Sequence, residues 1–435
     1  MSSAVPKTMA ERRAAAAAAR AAAAAPAVAK PPPGAVFNDL QQDSATEIRF
    51  RLSPTHVTYA NTLRRAMITE VETVAFAADI ADNGSSGDVI ITKNSTPMSN
   101  EMLAHRIGLL PIHVKNPLKW DPDQYTFKLD VVNDSTEPRD VVAADIQVLK
   151  NRGPDEDPLP VPSVEFFHPD PVTRDTTLLT VLKGRAVNPV AGDAHTGKQD
   201  SEALSFMAKA VVSTGRQNAR FMPVTSRCAY GYTLDDSPER KKELFTKWLA
   251  TNKKVSMTEL EANSTRKGEL EREFETMEVQ RCFKVNDRGE PFSFDFVVES
   301  VGVLDPKYIV GRAIELLHKK LLMYGSIDSG DLPEGLKMRP ADALMKGFDF
   351  IFQHEDHTLG NLLSTWMEQN EMDSEEITYV GYKVPHPLRD EMLLRVGVES
   401  GRDTDARAAV AKAARALAQM FLDWSGQWAA VAGGR

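Results

Sequence analysis

His354, Glu355, Asp356 and His357 stand in a row, with His386 further on, and such imidazoles and carboxylates are ligand types a divalent metal takes. A metal-dependent hydrolase using His354, Asp356, His357 and His386 is the chemistry this row allows. Its spacing argues otherwise, because imidazoles three apart do not reproduce the helical arrangement in which ligands four apart share a face. Asp356 and Thr358 suit a different task, accepting hydrogen bonds from the free amides of a following helix. The stretch 192–198 reads GDAHTGK, but Gln199 stands where a phosphate-binding loop needs Ser or Thr, and no strand precedes it. No nucleophile has a matched base. No catalytic residue, metal or cofactor is therefore expected.

Other polar residues suit binding. Arg64 and Arg65 follow Leu63 and precede Met67 and Ile68, so an apolar face turned to the core leaves both arginines outward or sideways. They are either a solvated face or an anchor for a partner's carboxylates, which guanidinium groups can grip in bidentate fashion. Residues 94–111, NSTPMSNEMLAHRIGLLP, join a helical pattern to His105, Arg106 and a Gly-Leu-Leu-Pro turn. Charged groups held on a tight turn suggest a shaped contact surface.

The elements that position these groups occur twice. Phe50, Thr58, Asn61, Leu63 and Met67 recur as Phe350, Thr358, Asn361, Leu363 and Met367, a constant offset of 300 residues. In each copy a short strand leads into an apolar helical pattern opening on Asn, and paired units of this kind bury each other's apolar faces. In the second copy Ser364 and Thr365 replace the arginines, so one flank of the pair is charged. Ile309, Ala313, Leu316, Leu317, Leu321 and Tyr324 form one later helical stripe, and Val410, Ala414, Leu417, Phe421 and Trp424 another.

An α+β fold follows, with two strand-helix dimerisation units in one chain, the first interrupted by a mostly β insert. Residues 1–37 read as an Ala/Pro-rich tail, 38–83 and 225–324 as the split first unit, 84–224 as the insert, 325–345 as a linker and 346–435 as the second unit. Strands are expected at Val89–Thr92, Tyr125–Val132, Ile146–Leu149, Val164–Phe167 and Leu178–Leu182, with a surface loop at 154–162. Residues 238–277, rich in Lys and Glu, read as a solvated helical excursion.

The chain has 435 residues, a net charge of −9 and two cysteines, Cys228 and Cys282. The acidic balance counts against non-specific nucleic-acid binding, two thiols cannot build a four-cysteine zinc site, and no apolar run spans a bilayer.

Asn61–Met67 (NTLRRAM), Val71–Phe76 and His105–Pro111 (HRIGLLP) resemble the signature of the alpha-type subunit of DNA-dependent RNA polymerase, the third-largest eukaryotic or archaeal D-like subunit. His354–Asn361 (HEDHTLGN) and Val380–Leu388 (VGYKVPHPL) are similar to its small partner, the eleventh eukaryotic or archaeal L-like subunit. Together the motifs cover roughly residues 45–425. The resemblance implies a non-catalytic assembly platform that docks the beta-like second-largest subunit and recruits the largest and the small subunits, with little direct nucleic-acid contact and no membrane. It implies partner binding by Asn61, Arg64, Arg65, Glu101, His105 and Arg106. It also implies pairing of the halves through Ile309, Ala313, Leu316, Leu317, Leu321, Leu359, Leu363, Trp366, Leu417 and Phe421. Fusion in one chain is an arrangement associated with large DNA viruses, so the expected location is the virion and host cytoplasm if viral, the nucleus if cellular. Asn100 stands where the family usually has Asp, and the insert has no cysteine for a zinc loop or iron-sulfur module. No promoter-binding C-terminal domain is expected. A dimer-like scaffold outside transcription would share the fold.

Overall fold

The computed structural model describes residues 36–79, 87–153, 156–185, 201–257, 260, 264–341, 345–372 and 376–433. Most of the Ala/Pro-rich stretch and the 192–198 loop lie outside them. The first unit opens with β1 (Phe37–Gln42), β2 (Glu47–Leu52) and α1 (Val57–Thr69). Alternation along β2 buries Ile48, Phe50 and Leu52 while Arg49 points to solvent, the period expected of a half-buried strand. His56 caps α1 by accepting the Thr58 amide hydrogen. The helix therefore begins four residues before the expected Asn61, because a histidine supplies the cap.

The insert follows. It comprises β3 (Glu72–Phe76), β4 (Val89–Asn94), α2 (Asn100–Gly108), β5 (Tyr125–Asn133), β6 (Arg139–Val142), β7 (Gln147–Lys150), β8 (Leu159–Val161), β9 (Leu178–Leu182), β10 (Glu202–Ala208) and β11 (Ala210–Thr214). Its main sheet runs β4-β10-β5-β7-β8, with β11-β3 and β6-β9 as separate pairs. Phe76, Phe127, Leu129 and Phe206 form a core of their own there. The first unit resumes with β12 (Ala229–Tyr232), the helices α3 (Pro238–Trp248) and α4 (Ser264–Met277), β13 (Phe294–Glu299) and α5 (Pro306–Tyr324).

The second unit has β14 (Leu336–Pro340), β15 (Gly347–Gln353), α6 (His357–Asn370), β16 (Ile377–Lys383), β17 (Glu391–Val398) and α7 (Asp403–Gly433). Its sheet order, β14-β15-β17-β16, matches β1-β2-β13-β12 of the first unit. Registers match as well: Phe296 faces Phe50 and Phe294 faces Leu52, as Leu394 faces Phe350 and Met392 faces Phe352. The repeat is thus a whole sheet with its helices.

The two units share one core. Helices α5 and α7 run antiparallel: Trp428 Nε1 donates to the Lys307 carbonyl (3.0 Å), His318 Nδ1 to that of Ala418 (2.9 Å) and Arg415 Nη1 to that of Gly325 (2.6 Å). Trp428 lies against Gly311, where an added Cβ would sit 3.3 Å from the indole, so a glycine is what lets the helices approach. Ile309, Ala313, Leu317, Leu321, Leu359, Leu363, Leu417 and Phe421 are buried in this core, with Leu316 and Trp366 half-buried against it. Among the described residues no helix is long and apolar enough to cross a membrane.

Several expectations are corrected. The 325–345 stretch is more than a linker, since β14 pairs with β15 and buries Leu336. It is a short edge strand with one buried leucine, ending on a proline that only an edge tolerates. Phe37, placed in the tail, begins the matching strand β1 and packs on Trp424 and Trp428. The 238–277 excursion has its own core of Phe245, Trp248, Leu249, Leu260, Leu270 and Phe274. Each helix needs only one apolar stripe when the other covers it. The expected strand Val164–Phe167 is instead the end of a 3-10 helix (Ser163–Glu165) and the turn after it, where Phe166 and Phe167 are both buried, a pattern a half-buried strand cannot give. The 154–162 loop contains the edge strand β8.

Candidate subunit interface

Helix α1 buries Thr58, Ala60, Thr62, Leu63, Ala66 and Met67, which leaves Asn61, Arg64 and Arg65 half-buried along its margin. Arg64 Nε donates to Asn61 Oδ1 (3.1 Å), a pair three residues apart that fixes both side chains on one helix face. The Arg64 charge faces Cys228 and Tyr230 beside β12. Burial pushes the Cys228 thiol up to about 12 against that charge, so this cysteine is an inert core group.

Arg65 has a different task. Its Nε donates to Thr358 Oγ1 (2.6 Å) and its Nη2 to Asp356 Oδ2 (2.8 Å), both in the second unit. The carboxylate expected from a partner is met inside the chain. Asp356 also caps α6 by accepting the Thr358 amide hydrogen (2.7 Å). Against burial, Thr358 and then Arg65 hold the Asp356 carboxyl below the usual range.

Helix α2 carries the second group of expected residues, on the insert's core. Ser99 caps it, Leu103, Ala104 and Ile107 face inward, and Glu101, His105 and Arg106 are exposed. The Ser99 hydroxyl holds the Glu101 carboxyl below the usual range, so a fixed negative charge opens the helix. Arg106 Nη2 donates to the Leu178 carbonyl (3.0 Å) and ties α2 to β9. Met102 and Leu109 are 60% and 56% exposed on the same face, and a cleft of about 250 Å³ begins at Leu109 and Pro111 and is closed by Ala75, Met222 and Val301. This face is apolar with a charged rim, the composition of a protein contact. The α1 and α2 groups belong to different cores, and their hydrogen bonds run to different partners.

A cluster that the sequence did not reveal joins the units. Lys320 Nζ lies 3.3 Å from Glu70 and 3.1 Å from Glu355, and the Arg216 guanidinium reaches Glu70 (3.6 Å), Glu355 (4.0 Å) and Asp390 (3.4 Å). Burial pushes the Glu355 carboxyl up, against the pull of Lys320. Burial also opposes the Lys320 ammonium, yet Glu355 and Glu70 hold it above its ordinary value. No spacing signal could have found this set, because its members come from α1, the end of β11, α5 and two turns of the second unit.

The row at 354–357 is absorbed by these contacts. His354 Nδ1 bonds Asp390 Oδ2 (2.7 Å), His357 meets the Tyr382 ring, and His386 Nδ1 accepts the Leu388 amide hydrogen (3.1 Å). Among the described residues no three His, Cys, Asp or Glu side chains gather as metal ligands.

Comparisons with known proteins agree with this geometry. The model of the RNA polymerase Rpb3/Rpb11 dimerisation domain matches twice, at residues 49–152 and 348–426. Subunit RPAC1 of DNA-directed RNA polymerases I and III from Homo sapiens is 25% identical over 282 residues, covering 60% of this chain and 75% of that protein. The DNA-directed RNA polymerase subunit Rpo3 of Methanopyrus kandleri is 26% identical over 203 residues, 44% of this chain and 66% of its own length. A probable subunit RPAC2 from Caenorhabditis elegans is 39% identical over 71 residues, 16% of this chain and 45% of its own. Two Rpb3/Rpb11-type dimerisation domains thus share one chain, with a strand-rich insert between them, and among its relatives RPAC1 and Rpo3 are alpha-like subunits of RNA polymerase.

Proposed function

We propose that this chain is a non-catalytic assembly subunit of a multisubunit DNA-dependent RNA polymerase. It is an alpha-type heterodimer folded from one polypeptide, a fusion of the third-largest and eleventh subunit types as in large DNA viruses, and it docks the beta-like second-largest subunit. The observation that carries this reading is the double match of one dimerisation-domain model to two units packed on a common core. The docking surface combines the α1 margin at Asn61 and Arg64 with the exposed α2 face of Glu101, Met102, His105, Arg106 and Leu109. Arg65 supports the platform from inside by holding Asp356.

Arg64→Glu with His105→Glu, in a chain co-expressed with its cognate second-largest subunit, should abolish co-purification while leaving the melting temperature unchanged, because a reversed charge at Arg64 and a new carboxylate at position 105 are costly at a desolvated contact. Unaltered co-purification by the folded variant would remove these residues from the docking surface. Arg65 is left intact so that the pairing of the two units is undisturbed.

A further inference from the structure

Contacts between α1 and α6 are reciprocal. Arg65 meets Thr358, and its counterpart Thr365 meets Thr58 (Oγ1 to Oγ1, 3.3 Å). Such exchange of partners at a constant offset is the mark of a two-fold, isologous contact. The two sides of this pseudo-symmetric contact differ in charge. On one side Arg65, Lys320 and Arg216 of the first unit and its insert face Asp356, Glu355 and Asp390 of the second. On the other side the counterparts of Arg65, Asp356, Glu355 and Glu70 are Thr365, His56, Thr55 and Asn370, and neutral hydrogen bonds cross there: Thr365 with Thr58, Asn361 to Thr58 and Tyr59 to Gln369. No carboxylate stands among these counterparts.

We propose that this one-sided cluster is what makes pairing heterotypic: it selects a second unit as the partner of a first unit and rejects self-pairing of either, independently of the covalent connection. The inference rests on the two-unit reading above. If two first units paired, Arg65 of each would face His56 of the other instead of Asp356, and Lys320 would face Thr55 instead of Glu355. If two second units paired, Asp356 of each would face Thr365, and the largely buried Glu355 would lose its cations. In a pair of first units Lys320 and Arg216 keep Glu70 of their own unit but lose Glu355 and Asp390, whereas in a pair of second units the buried Glu355 loses both cations. Each loss occurs twice by symmetry, and a buried charge without its partner is strongly disfavoured, so self-pairing of second units is penalised most. Glu355 is 8% exposed, which makes it the side chain with most to lose.

The test is a competition between co-expressed halves, divided after Asp331 in the exposed turn that precedes β14, so that every half folds against a partner. A tagged first half (residues 1–331) is offered an untagged wild-type second half and one carrying Glu355→Lys and Asp390→Lys, and the captured ratio is read by mass spectrometry. The wild-type half should win by about tenfold or more, and Arg216→Glu with Lys320→Glu in the first half should reverse the preference. Equal capture, or a preference that the reversed first half does not change, overturns the proposal. Should the lysine half fail to fold, Glu355→Gln with Asp390→Asn replaces it. That neutral half should lose to wild type several-fold before an unmodified first half and compete evenly before one carrying Arg216→Gln and Lys320→Gln. Persistence of the loss before the neutral first half overturns the proposal as well. Neither arm contains another polymerase subunit, so failure here is separable from failure of the docking reading.

Discussion

At the scale of single residues, the helix caps show how two copies of one element came to differ. Asp356 caps α6 with a carboxylate, whereas α1 relies on the unprotonated Nδ1 of His56, 3.3 Å from the Thr58 amide. Burial lowers the His56 imidazole below its ordinary value, with Glu290 opposing. A histidine whose folded value is depressed adds stability that is complete above the ordinary value of about 6.5 and is lost as pH falls through the folded value. Protonation also removes the lone pair that accepts the cap hydrogen. His56→Asn, which caps without titrating, should therefore flatten the fall in urea-unfolding stability between about pH 7 and pH 5 relative to wild type. An identical slope in both proteins would mean that the cap carries none of the pH dependence. The aromatic contact of Phe50 on Phe296, with rings 4.9 Å apart and nearly parallel, marks the centre of the first sheet, and Phe50→Ala should cost about 3–5 kcal/mol by denaturant unfolding.

Among the elements, α5 and α7 hold the units together, and their closeness depends on Gly311 beneath Trp428. Gly311→Leu should separate the helices and lower stability by about 1–3 kcal/mol, read from the unfolding midpoint. The hairpin of α3 and α4 behaves differently, for its core is separate from both others. Replacing 238–277 by a short turn between β12 and β13 should shift the melting temperature by no more than about 4 °C. A larger drop would show that the hairpin braces the first unit. The repeated strand-helix units and the stripes on α5 and α7 were legible in the sequence because the 300-residue offset and the helical period are local signals. The edge strands β1, β8 and β14 were not, since an edge strand needs few apolar residues and tolerates the Pro and polar residues that otherwise mark loops. Arg64 and Arg65 illustrate the same limit at the candidate site. Adjacent arginines look alike in a sequence, yet one stays on the α1 margin with Asn61 and the other crosses to Asp356, a distinction created only by the packing of α6.

For the whole molecule, two like units share one core and differ in which flank is charged, and the proposed docking front draws on that asymmetry. Against a net charge of −9, with histidine counted neutral, Arg64 and Arg106 are local cations. The relatives' identity as subunits of DNA-directed RNA polymerases gives this front its partner in the reading proposed here. Co-expression of the full chain with its cognate second-largest polymerase subunit, followed by size-exclusion chromatography and native mass spectrometry, addresses that reading most directly. The prediction is a one-to-one complex that survives purification and is lost with Arg64→Glu and His105→Glu. Elution of the folded wild-type chain by itself, with the second-largest subunit present and soluble, would contradict it.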